Sequence, residues 1–425
     1  MRCGILVTDV RGTCLPRDDP VGHTESDAND PGQKIATIPS IVLFQHVFAG
    51  ISGIGPAKNL YNGKQFYVMV PKNKIDAILS GYDPEDITLA TMCSHSSLQI
   101  FHGARKLGFK TLGLTISHDT RYYDAFPLAK PDEIIRYKSF EDMESRVDEL
   151  HEKNVVLIPH GSFVEYMGPE RFADYEVPSY GNRAVLGWES DRGMQREWIT
   201  SAGVTMPRLF ADPREINEPV MVKYHGAKGG RGFFIAKDYP DFKMSIDNTQ
   251  PYTVQEYCLG TRYYLHFFYA PNKTDGYRIK HGGSIELLSI DRRDETNIDE
   301  LYKLGSIEDA RKYGFNPSFV VTGNVPVVIR ESLLPKAFEM AEKVVNRSYE
   351  LFGGMWGPFC LETVVTDKLE FKVFEISTRI VAGSNPFISG SPYADLIYPG
   401  LSTGARIALE LKNALKDDTF SELMT

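Results

Sequence analysis

Residues 222–234 read VKYHGAKGGRGFF. Four glycines fall within seven positions, 226–232, and Lys223, Lys228 and Arg231 punctuate the stretch with positive charge. Glycine at this density does not hold a helix, and the flanks 219–221 and 233–235 are apolar and strand-like. The segment therefore reads as a hairpin whose connecting loop is flexible and cationic. It does not match GxxxxGK[ST], nor GxGxxG opening a helix. Glycines such as Gly229 and Gly230 let backbone N–H groups approach phosphate oxygens closely. Lys223 on the strand, with Lys228 and Arg231 in the loop, would neutralise a triphosphate. The alternative is a solvated hairpin with incidental cations.

The rest of the chain must supply a scaffold. Its 425 residues allow about three domains at ~150 residues each, and 42% hydrophobic residues suffice for a sizeable core. Residues 1–68 stand apart. DDPVGHTESDANDPGQ is turn-rich, and IPSIVLFQHVFAGISGIG carries neither a helical nor a strand period. We expect this segment to be an extension, not native to the folded protein, with Met69 as the working start; an ordinary N-terminal arm is the alternative. From Met69 the pattern is helix, turn, strand. ITLATMC is a strand, Ser94 can cap the helix SSLQIFHGARKLG that closes on Gly108, FKTLGLTIS is the next strand, and NVVLIPHGSFVEYMG is a strand ending in a polar loop. Alternating strands and helices predict a parallel sheet. Ligands gather at the C-terminal strand ends of such sheets, where His95 and Ser162 fall. His95 also stands at a helix N-terminus, which favours phosphate.

Beyond Trp188 strands multiply: YTVQEYC, RYYLHFFYA, SIELLSIDR, FVVTGNVPVVI, GPFCLETVV and LEFKVFEIS. One strong helix interrupts them, with Ser332 and Pro335 at its start and Leu334, Phe338, Ala341, Val345 and Tyr349 as its apolar stripe. This half reads as α+β with much antiparallel sheet.

If GPFCLETVV and LEFKVFEIS form a hairpin turning between Lys368 and Leu369, Glu362 lies directly opposite Glu375. Like charges so placed repel, and each sits in a mostly apolar strand where an unpaired charge is costly. A Mg²⁺ ion bound through both carboxylates and substrate phosphates resolves both problems. Two salt bridges, with Arg379 or Lys372 as partners, are the alternative. Glu256, Arg292, Arg293, Glu295, Asn324, Arg379 and Asn385 are further polar groups at strand ends, each equally a turn or surface residue. Glu256 follows an apolar strand, where adenine or ribose could be read. His160 and His225 are lone histidines for which a structural role is at least as good. The net charge of −9 gives no support for a nucleic-acid partner. The five cysteines show no metal spacing and suggest a reducing compartment. No apolar run reaches the ~18–20 residues of a membrane span, so a cytoplasmic location is expected.

A glycine-rich hairpin, a lysine on the strand before it, the hinge QEYCLG and two late glutamates on neighbouring strands resemble the ATP-grasp fold. SHSSLQIFHGARKLGFKT, PHGSFVEYMG, KYHGAKGGRGFF, SIDRRDETN, GPFCLE and FEISTRIVAGSNPF with SPY resemble the formate-dependent 5-formaminoimidazole-4-carboxamide ribonucleotide synthetases of the archaeal purine pathway. The likeness covers residue 69 to the C-terminus. It implies an N-terminal Rossmann-like pre-ATP-grasp domain over 69–185 and an ATP-grasp domain over 186–425, with a lid hairpin at about 205–285. It implies a ligase that uses ATP, with Mg²⁺ or Mn²⁺, to join formate to 5-aminoimidazole-4-carboxamide ribonucleotide (AICAR) through formyl phosphate, in a homo-oligomer. His95 and Ser162 would contact AICAR, and Asn324 its base side. Lys223, Lys228, Gly229, Gly230 and Arg231 would hold phosphates, with Glu256 and Glu295 near the nucleotide. Glu362 and Glu375 would hold the metal, and His95 and Arg379 are the catalytic candidates. Tyr224 stands where the family pattern leads one to expect proline. A ligase for another small carboxylate, or a nucleotide-binding paralogue without turnover, are the competing readings.

Overall fold

Four strands with no polar–apolar alternation open the fold. Thr88–Met92 is buried at every position, as a strand covered on both faces must be. It lies between Lys110–Thr115 and Val155–Leu157, with Glu133–Arg136 at the edge beyond Lys110–Thr115, and every pairing is parallel. The expected parallel sheet is therefore present. The structure is a computed structural model that describes residues 60–61, 64–65, 69–225, 232–296, 320–381 and 391–425. The remainder of the 1–68 segment, loop residues Lys228, Gly229, Gly230 and Arg231, and Asn385 lie outside the described residues.

The helix Ser97–Lys106 follows the first strand and buries Ile100, Phe101 and Ala104. Ser94 does not cap it. Ser96 holds the N-cap position without a side-chain capping bond, and the Ser94 hydroxyl turns instead to that of Ser162. Gly108 ends the turn at φ +92°, as its position in the sequence requires. This helix packs on the C-terminal helix Thr403–Lys416. Gly103 and Gly404 permit the contact: a Cβ on Gly103 would lie 2.3 Å from Ala405 N, and one on Gly404 2.2 Å from Gln99 O.

A second sheet is wholly antiparallel, in the spatial order Leu209–Phe210, Tyr252–Glu256, Val220–Tyr224, Phe233–Ala236. It has its own small core of Phe210, Ile216, Val220, Val222, Ala236, Phe242 and Val254. The last two strands are the hairpin that flanks the glycine-rich loop, in register from Val220 opposite Ala236 to Lys223 opposite Phe233. Tyr224 N–H donates to Gly232 O at 3.0 Å. A proline at 224 has no such proton, so tyrosine here closes the hairpin one step further.

The third sheet runs Tyr277–Arg278, Ser284–Glu295, Thr261–Ala270, Gly357–Val365, Phe371–Ser377, and Val321–Pro326 pairs with the far end of Ser284–Glu295. One face, carrying Leu265, Phe267, Phe359 and Leu361, belongs to the main core with the helix Leu334–Phe352. That helix buries Ala337, Met340, Ala341, Val344, Val345 and Ser348. The stripe is thus rotated from the expected one: Leu334, Phe338 and Tyr349 sit half-buried on its border, where Phe338 meets the ring of Phe267 at 5.6 Å. Pro335 lies in the first turn as expected, but Leu333 takes the N-cap position, because Ser332 is held in the short 3₁₀ turn Glu331–Leu333. No described helix is long and apolar enough to cross a membrane.

The helix contact yields a direct test. Gly103→Ala places a methyl group against backbone that cannot move aside, and should cost about 1–3 kcal/mol in a urea unfolding measurement. Wild-type stability in this variant would contradict the close approach.

Candidate active site

The other face of the third sheet is divided: Phe268, Ala270 and Leu288 join a second core with the helix Thr403–Lys416, and the rest carries a polar row. Cross-strand pairing ranks Asp291, Tyr264, Glu362 and Glu375 side by side on four adjacent strands. Glu362 does face Glu375, as expected, although the hairpin is centred on Lys368 and not between Lys368 and Leu369. Nearer the turn a bulge shifts the register by one residue, so Thr363 faces Val373, and Leu369 takes φ +60° at the tip.

Two arginines answer the two carboxylates. Glu362 is buried and accepts from Arg293 Nη2 at 3.1 Å. The Arg293 guanidinium lies 3.6 Å from the Tyr264 ring centroid, a desolvated cation–π contact. Burial pushes the Glu362 carboxyl up from its ordinary range; Arg293 opposes this and the neighbouring Glu375 reinforces it. Glu375 is paired with Arg192 Nη1 at 2.7 Å. The partners expected from sequence are engaged elsewhere. Lys372 lies nearer the turn and is bound to Glu256, while Arg379 lies beyond the strand end and pairs with Glu189 at 2.6 Å.

Lys223 belongs to the same cluster. Burial lowers its proton affinity, as does nearby Arg192, and Glu375 works against them. Glu295 is bound to Arg262 Nη1 at 2.7 Å. Glu256 also accepts from Arg208 N–H at 3.1 Å; burial alone would raise its carboxyl, but Lys372 and this amide outweigh it and hold it low. Asn324 stands opposite Arg293 on the neighbouring strand, with its Oδ1 buried and lacking a hydrogen-bond partner.

The ends of the parallel-sheet strands complete the site. The chain beyond Phe371–Ser377 runs against that edge: Ile380 bridges to His160, and Ser96 Oγ donates to Val381 O at 2.7 Å. His160 is structural. Its Nε2–H donates to Met92 O at 2.9 Å and its Nδ1 accepts from Ser162 N–H at 3.1 Å, so both nitrogens are used by the neutral ring. Burial brings its pKa down to about 3. His225 is exposed and bonded to Thr253 at 2.9 Å. His95 takes φ +46°, a left-handed conformation uncommon for a non-glycine residue. Its proton affinity is lowered by burial, then by Arg379 and His118, against Glu165. A Cβ on Gly161 would lie 3.9 Å from Arg379 Cζ and 4.0 Å from His95 Nε2, so this glycine is flanked by both. Arg379 Nε is buried and unpartnered, and its charge also reaches Glu362. The arginine thus stands between the histidine end and the carboxylate end.

Sequence reasoning missed Arg192, Glu189 and a buried pair beneath the carboxylates. His266 Nε2 lies 2.8 Å from Asp291 Oδ1, off the hydrogen-bond direction, so the attraction is chiefly ionic. Arg192 had a faint signal: a cation in the first turn of the helix Arg192–Ser201 opposes the helix dipole. His266 had none, embedded in RYYLHFFYA. Among the described residues no group of three or more His, Cys, Asp or Glu is placed to hold a metal ion. Two facing carboxylates nevertheless fit a Mg²⁺ ion that takes its other ligands from phosphate, and Arg192, with 73% of its side chain exposed, has room to leave Glu375.

Residues 243–425 match a family described as "Domain of unknown function (DUF1297)" and residues 89–210 one described as "Protein of unknown function (DUF1246)". The chain is 57% identical over 357 residues to the 5-formaminoimidazole-4-carboxamide-1-(beta)-D-ribofuranosyl 5'-monophosphate synthetase 1 of Methanosarcina mazei, covering 84% of this chain and all of that protein. It belongs to this synthetase family. The synthetase of Methanococcoides burtonii is 59% identical over 348 residues, 82% of this chain and 98% of that one. The crystal structure of an IMP biosynthesis protein PurP from Thermococcus kodakaraensis superposes with a TM-score of 0.61 at 28% identity, covering 79% of this chain and all of that one. The N5-carboxyaminoimidazole synthetase from Staphylococcus aureus complexed with ADP gives 0.50 at 17% identity, over 75% of this chain and 77% of that one, a likeness of fold. The ATP-grasp architecture expected from sequence is that of this synthetase family.

The buried pair beneath the site is testable by pH. Burial alone would lower the pKa of His266, but Asp291, and then Cys360, push it up to about 10. A raised folded-state value stabilises fully below the unfolded value of ~6.5 and is lost as pH rises through about 10. Asp291→Asn should therefore cost about 3 kcal/mol near neutrality, with a smaller deficit at alkaline pH. A deficit in urea unfolding that does not shrink with pH would contradict the charged pair.

Proposed function

We propose that this chain joins formate to the 5-amino group of AICAR, converting ATP to ADP and phosphate, as a cytoplasmic, homo-oligomeric enzyme of IMP synthesis. The observation that carries the reading is 57% identity along the whole length of a named synthetase. The site's layout supports it, with a phosphate-binding end at Lys223, Glu362 and Glu375 and a ribonucleotide end at His95 and Ser162.

A formate oxygen attacks the γ-phosphorus and ADP leaves. The amine then attacks the formyl carbon, the carbon–oxygen bond to phosphate breaks, and the amine proton passes to His95 or to the medium. Phosphoryl transfer needs positioning and charge neutralisation more than covalent help from the protein. Lys223, Lys228 and Arg231, with the Gly229 and Gly230 amides, hold the phosphates, and Glu256 and Glu295 lie near the nucleotide. Glu362 and Glu375 would hold Mg²⁺ or Mn²⁺, which supplies charge neutralisation to the phosphates. Arg192, released from Glu375, is placed to turn toward a phosphate oxygen. Arg379 meets the formyl group midway, with its unpartnered Nε as donor. His95 is biased toward its neutral form and can accept the amine proton near neutrality. Asn324 contacts the base side. Acyl phosphates hydrolyse readily, so closure of the glycine hairpin would exclude water.

ADP release by the full chain, with Mg²⁺, ATP, AICAR and formate each omitted in turn, tests the reading. Release that needs both formate and AICAR is expected. Release without formate would indicate another carboxylate, and ATP binding without acceptor-dependent release would indicate a non-catalytic paralogue. Glu362→Gln should reduce turnover by ~100-fold or more; undiminished turnover would contradict the metal assignment.

A further inference from the structure

The wide turn Phe163–Met167 leaves the strand Val155–Leu157 and sends Phe163 and Met167 into the core. Tyr166, beside Met167, is instead 52% exposed. A single exposed aromatic is ordinary, but this one has particular neighbours. Its ring lies 6.1 Å from that of His95 at an interplanar angle of 27°, and 6.1 Å from that of His118 at 51°. The first is stacking geometry and the second a tilted contact, and both separations fall within the range of direct ring interaction. The His118 loop is tied down by Arg136, whose Nη1 donates to His118 O at 3.4 Å. Turns of this wide kind occur often at functional sites, where they re-aim side chains.

The position is also that of a ligand wall. Tyr166 stands at the C-terminal edge of the parallel sheet, where ligands collect, beside His95 and on the Ser162 segment. The functional reading above, on which this inference rests, puts there a ribonucleotide with a flat, electron-rich five-membered ring. In that reading His95, Ser162 and Asn324 would make polar contacts to its edges and phosphate, whereas a flat heterocycle also needs a face. Tyr166 presents a half-exposed ring already aligned by two histidines.

We propose that Tyr166 is the stacking surface for the aminoimidazole ring of the ribonucleotide, held in orientation by His118. The ring laid on Tyr166 beside His95 brings its 5-amino group toward Gly161 and Arg379, where the formyl group arrives.

The test compares AICAR with ribose 5-phosphate, which lacks the heterocycle, by calorimetric titration of the full chain. Tyr166→Leu should weaken AICAR binding about tenfold, the scale of one base–aromatic stack. Its affinity for ribose 5-phosphate and its KM for ATP should stay within about twofold of wild type, and its melting temperature should be unaltered. Tyr166→Phe, which keeps the ring, should bind AICAR as wild type does. An equal loss for both ligands in Tyr166→Leu, an unchanged AICAR affinity, or a loss in Tyr166→Phe matching that in Tyr166→Leu would overturn the proposal. A wild-type chain lacking formate- and AICAR-dependent ADP release would instead overturn the functional reading itself, so the two failures are distinguishable.

Discussion

Two carboxylates facing each other across a β-hairpin set the terms for the rest of the site. Glu362 is buried and Glu375 half-buried, and like charges so placed repel. Without compensation the arrangement would destabilise the central sheet. Arg293 and Arg192 supply it from opposite sides, one clamped over Tyr264 and one largely in solvent. The difference has a consequence. The buried arginine is a fixed part of the sheet, while the exposed one can be exchanged for another cation. The metal–nucleotide complex proposed above would displace the exposed arginine and leave the buried one in place.

The fold carries this face to the histidine end. Period-two alternation puts Leu265, Phe267, Phe359 and Leu361 on the side of the helix Leu334–Phe352 and Tyr264 and Glu362 on the opposite face. The chain then leaves Ser377 and lies along the edge of the parallel sheet, pinned by the Ile380–His160 bridge and the Ser96 bond to Val381. His160 is spent on this join. Its two ring nitrogens fasten the first strand to the Ser162 turn, whereas the ring of His95 lies against that of Tyr166. Arg379 sits at the join, between His95 and the carboxylate Glu362.

Much of this was legible in the sequence because it is local. Hairpin arithmetic placed Glu362 against Glu375, apolar runs without alternation marked the parallel strands, and glycine density marked the hairpin. Pairings between distant segments were not legible. Arg192 and Glu375 are 183 positions apart, and nothing in ESDRGMQ indicates that they meet. The alternative of ion pairs through Arg379 or Lys372 failed for this reason: each has a nearer carboxylate, Glu189 or Glu256, delivered by another element. Caps failed in a different way. Ser94 and Ser332 are good capping residues, but tertiary contacts claimed the first and a 3₁₀ turn the second. The half-exposed ring of Tyr166 looked like one more apolar position in SFVEYMG.

The central claim is that formate is activated by phosphoryl transfer at the carboxylate end and captured by the amine at the histidine end. Turnover with formate labelled with ¹⁸O at both oxygens, followed by mass analysis of the products, tests this directly. The account predicts one labelled oxygen in inorganic phosphate and the other in the formyl group of the ribonucleotide. Phosphate free of label, with turnover intact, would contradict a formyl phosphate intermediate and with it the division of the site into two ends.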